Sequence, residues 1–111
     1  SQGPATRLQW GAGYLAALIE LAPGDATRIE KVASQLLREA GADSATFEGR
    51  SARSLARAGS KLAGWGGAGR HAAVMRRLQA QLDGLCAKVE AARRADCAKL
   101  LLGAPGAGKD A

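Results

Sequence analysis

The chain has 111 residues, 47% of them apolar and 4% aromatic, with 16 bases, 10 acids and a net charge of +6. That length holds one domain with a core, and the apolar share excludes a wholly disordered chain. No run reaches the ~20 apolar residues a membrane helix needs.

Ala and Leu far outnumber β-branched and aromatic residues, a balance that favours helices over sheets. The expected fold is all-α: a small antiparallel bundle of about four helices with a long C-terminal helix, able to dimerise. Residues 1–102 form a single helical domain in this reading, and 103–111 a flexible Gly/Pro/Ala tail. No basic segment followed by a hydrophobic stretch marks a secretory signal, and a signal already removed would leave the same silence.

The first helix is predicted from Pro4 to about Leu21, ended by Pro23-Gly24. It carries two apolar stripes at helical spacing, Leu8/Gly11/Leu15/Leu18 and Trp10/Tyr14/Ala17/Leu21. Such a helix should be buried on most sides or meet a partner. The second helix has Asp25 or Thr27 as its cap, with Thr27 and Glu30 fitting a capping box. Ile29, Val32, Ala33, Leu36, Leu37 and Ala40 supply one apolar face, and Gly41 stops it.

A third helix is predicted from Asp43 or Ser44 to about Ala63. At 100° per residue, Arg50, Arg53, Arg57 and Lys61 fall within an arc of about 80°, with Leu55 and Leu62 roughly opposite. Phe47 and Trp65 flank the apolar side. The glycines of 64–69 make a hinge. A fourth helix, the longest if unbroken, is expected over about Arg70–Leu102, with Gly84 a candidate bend and a seam built from Val74, Met75, Leu78, Leu82, Leu85, Cys86, Val89 and Ala92. Arg93 and Asp96 interrupt that seam. On one helix Cys86 and Cys97 would be separated by about 16 Å of rise, too far to bond to each other, so both read as free buried thiols in a reducing cytoplasm, with a cross-dimer disulfide as the minor alternative.

The charge is uneven. Residues 44–82 hold Arg50, Arg53, Arg57, Lys61, Arg70, Arg76 and Arg77 against Glu48 alone, while the flanking stretches nearly balance. A local cationic surface calls for an anionic partner. The candidate surface is Arg50, Arg53, Arg57, Lys61, Arg76 and Arg77. Leu15, Leu18, Leu78, Leu82, Leu85 and Val89 are the candidates for a self- or partner-interface.

Chemical motifs fail on inspection. Gly103–Asp110 mimics a phosphate loop, but it lacks the Ser or Thr after Lys109 and any following helix. Gly11-x-Gly13-x-x-Ala16 and Gly67-x-Gly69-x-x-Ala72 follow no strand. His71, the lone histidine, would lie more than about 20 Å from Cys86 on one helix, too far for a shared metal. No catalytic residue, metal or cofactor is expected.

Leu36-Leu37-Arg38-Glu39-Ala40-Gly41-Ala42-Asp43-Ser44-Ala45-Thr46-Phe47 resembles the helix-turn-helix of bacterial regulators. The resemblance would make Gly41 the turn, Ser44 the cap and Phe47 the packing contact, with Thr46, Arg50 and Arg53 reaching bases or phosphates. Leu37 and Gly49 depart from that pattern. The first expectation is therefore a non-enzymatic helical interaction protein, an adaptor or regulatory subunit, whose basic third helix meets an acidic partner. The alternative is a nucleic-acid-binding regulator that reads through residues 30–53 and dimerises through the C-terminal helix. Docking on an anionic membrane surface ranks third.

Overall fold

The computed structural model describes residues 4–42 and 49–101. Among them the chain is all-helical: α1 (Pro4–Leu21), α2 (Ala26–Gly41), α3 (Gly49–Trp65), a 3-10 turn (Gly67–Gly69), α4 (Ala72–Cys86) and α5 (Ala91–Ala98). The first two helices have the bounds their sequence signals predict. Asp25, rather than Thr27, caps α2, its carboxylate accepting from the Arg28 amide at 3.2 Å. Glu30 is thereby released from the expected capping box.

Helix directions follow from the pairings. Gly11 of α1 lies against Leu36 of α2, so these two, joined by a tight turn, are antiparallel. Glu20 pairs with Lys61, and the Trp65 indole donates to the Pro23 carbonyl at 2.8 Å, so α3 runs parallel to α1. Glu30 with Arg77 and Ser34 with Gln81 make α4 parallel to α2. Leu8, Leu15, Ile29, Leu37, Leu55, Leu78 and Leu82 fill the shared interior. Burying each such side chain contributes about 2 kcal/mol.

The long fourth helix is not formed. It ends at Cys86, the chain reverses through 87–90, and Glu90 enters α5 in an extended conformation (φ −60°, ψ 152°). The premise that kept the cysteines apart therefore fails. Cys86 and Cys97, both buried, form a disulfide with Cα atoms 5.7 Å apart. The turn also frees the expected seam from its two charges, since Arg93 and Asp96 now belong to α5, with Asp96 exposed and Cys97 turned inward.

Two glycines make this path possible. A Cβ on Gly59 would collide with the Leu100 carbonyl, so a bare backbone on α3 lets the turn that follows α5 close onto it. Gly69 takes φ 75° in the hinge, a left-handed conformation open to glycine at little cost. Beyond it, His71 stacks on Trp65 with ring centroids 3.8 Å apart and begins α4.

Candidate docking groove

Helix α3 is amphipathic as its spacing predicts. Ser51, Leu55, Ala58, Leu62 and Trp65 point inward, whereas Arg53 and Arg57 are exposed on successive turns. The side chain of Arg50 lies outside the described residues. Lys61, one turn beyond Arg57, is half-buried and bonded to Glu20 of α1, which holds the Glu20 carboxyl below its ordinary pKa.

The expected cationic surface is thus divided. Arg77 belongs to α4 and grips Glu30 of α2 with two hydrogen bonds of 2.6 and 2.8 Å. That pairing lowers the Glu30 pKa and raises that of Arg77, chiefly through the hydrogen bonds themselves. Lys61 and Arg77 are therefore already neutralised by carboxylates of the same chain. Arg76 is exposed, but on α4, apart from the α3 row. Among the described residues, Arg53, Arg57 and Arg76 have no hydrogen-bond or ion-pair partner.

The expected interface leucines are mostly elsewhere. Leu15, Leu18, Leu78 and Leu82 lie in the chain's own core, at 0, 7, 1 and 0% exposure. Leu85 and Val89 are half-buried and pack against that core, Leu85 against Gly41. An intermolecular role for these four leucines is corrected by their burial: the chain itself covers them.

The outward apolar residues are instead those of the other α1 stripe. Trp10, Tyr14 and Leu21 are 69, 52 and 85% exposed. Beside them a groove of about 690 Å³ opens between α1 and α3, lined by Gln9, Gly13 and Ala16 on one side and Ser54, Arg57 and Lys61 on the other. Gln9 and Gly13 also border the depression against Trp10 and Tyr14, so groove and aromatic ledge are continuous. The sequence contained a signal for this arrangement. Leu8, Leu15 and Leu18 are purely aliphatic, whereas Trp10 and Tyr14 carry polar ends that suit a wet surface.

Ser44, Thr46 and Phe47 of the helix-turn-helix resemblance lie outside the described residues, as does the phosphate-loop-like tail. Among the described residues no three His, Cys, Asp or Glu side chains gather to hold a metal, and no helix is long and apolar enough to cross a membrane. The chain matches no known protein family, and no curated protein or solved structure is similar to it.

Proposed function

We propose that this chain is a non-enzymatic interaction module whose third helix engages an acidic protein partner. One observation carries the reading: Arg53 and Arg57 stand exposed and unpaired on successive turns of α3, Arg57 at the wall of the groove, while Lys61 and Arg77 are neutralised within the fold. An unpaired arginine pair on adjacent turns offers forked donors to carboxylates. Few charges are engaged, so salt should weaken binding only moderately.

The nucleic-acid alternative needs a dimerising C-terminal helix. Leu78 and Leu82 of α4 are enclosed within the chain, which favours the first reading. The disulfide between two buried cysteines favours an oxidising compartment over the cytoplasm. We take that compartment as part of the proposal.

The test titrates a fluorescein-labelled Glu-rich peptide and a labelled DNA duplex at several salt concentrations. Arg53→Glu with Arg57→Glu should weaken peptide binding at least about tenfold. Lys31→Glu with Lys88→Glu, which changes net charge equally, should weaken it much less. Steeply salt-dependent DNA binding that outcompetes the peptide would reverse the ranking.

A further inference from the structure

α1 is apolar on two sides, and only one of them faces the core. Its outward stripe is Trp10, Tyr14, Ala17 and Leu21, a single helix face about 16 Å long. Gly13 and Ala16 leave the surface low beside the large rings, and the ledge slopes into the groove whose far wall carries Arg57. Glu20, the acid on this flank of α1, is occupied by Lys61. The face therefore combines an apolar ledge, a shallow trough floored by small residues, and a cationic edge.

We infer that this surface receives an amphipathic helix of a partner protein, its apolar side chains laid between Trp10, Tyr14 and Leu21 and its acidic flank turned to Arg53 and Arg57. The inference rests on the acidic-partner reading and adds the form that partner takes. Three turns of ledge match about three turns of a docked helix, the usual helix-in-groove geometry. Small residues at 13, 16 and 17 allow its backbone to approach closely. Charge complementarity selects the occupant. A second copy would bring its own Arg53 and Arg57 and a charge of +6 to the same edge. A flat bilayer would leave the trough unfilled.

Gly13 supplies a clean handle. Outside its own stretch of helix no atom lies within 4 Å of the position a Cβ would take there, so a side chain at 13 projects into the space an occupant would fill. It also replaces glycine in a helix interior, which should raise stability.

The test uses 15N-labelled protein and a synthetic peptide of about 18 residues with leucines on one helical face and glutamates on the other. A scramble of the same composition and a version with Lys for Glu serve as controls. The Trp10 indole resonance should move on titration and that of buried Trp65 should not. The amphipathic acidic peptide should bind at least about tenfold more tightly than its scramble. Trp10→Ala with Tyr14→Ala, and separately Gly13→Gln, should erase that advantage without lowering the unfolding temperature.

Equal binding of both acidic peptides, unaffected by these substitutions, would overturn the helix inference and leave the acidic-partner reading standing. Failure of both acidic peptides to bind would remove the two together. A Lys-substituted peptide that binds as well, or a thymidine oligonucleotide that moves Trp10 at lower concentration, would overturn the occupant named here.

Discussion

The α2–α4 pair and the α1–α3 pair contain the same kinds of side chain and use them oppositely. Between α2 and α4 the polar groups satisfy one another: Arg77 holds Glu30, Ser34 donates to the Gln81 side chain at 2.8 Å, and Gln81 returns a bond to the Ser34 carbonyl at 2.9 Å. Arg38 closes the set on the Ser34 hydroxyl. Between α1 and α3 Lys61 pairs with Glu20, while Arg53, Arg57, Trp10 and Tyr14 are left facing water. What separates a structural arginine from an available one is its neighbour on the adjacent helix, not its position on its own.

The contrast between inward and outward apolar residues should appear most strongly in truncation. Leu82→Ala, which empties a site at 0% exposure, should cost about 3–4 kcal/mol in urea-induced unfolding. Tyr14→Ala on the ledge should remain within about 0.5 kcal/mol of the parent. A comparable loss at both positions would mean that the ledge belongs to the core.

Next in size is the staple between α4 and α5, which with the seat of Leu100 on α3 ties the two pairs together. Cys86→Ser should cost about 3 kcal/mol, the chain-entropy value for so short a loop. Gly59→Ala tests the same closure from α3. Its added methyl meets the Leu100 carbonyl, and a loss of about 2 kcal/mol is expected although alanine is the better helix former.

Acid should give the smallest effect. Glu20 and Glu30 are held below 4.5 in the folded chain, so the folded state takes up protons less readily than the unfolded one. Their contribution is complete above that value and fades as pH falls through the lowered ones. Both pairs are at the surface, where solvent screening keeps such terms small. Arg77→Met should flatten the decline in the urea midpoint between about pH 5 and pH 3, and Arg53→Met should not.

The first two helices were legible because their ends are written locally, in Pro4, in Pro23-Gly24, in Asp25 and in Gly41. The break after Cys86 was not. Ala87-Lys88-Val89-Glu90 contains no proline or glycine, and Val89 and Ala92 continue the helical period across it. Gly84, Arg93 and Asp96 were the available warnings, and reading them as flaws in one long helix hid the cysteine pairing. The α1 ledge was visible as a stripe but not as an outward one. Two apolar faces on one helix carry no local mark of which meets the core. Likewise, the neutralisation of Arg77 depends on the register of α4 against α2, which no window along the chain contains.

The bond between Cys86 and Cys97 encloses the reversal at 87–90 in a covalent ring. A protease that cut once inside that ring would sever the main chain without separating the pieces. The nicked molecule would migrate as one band on a non-reducing gel and as two after dithiothreitol, with its last helix still in place until the sulfurs part.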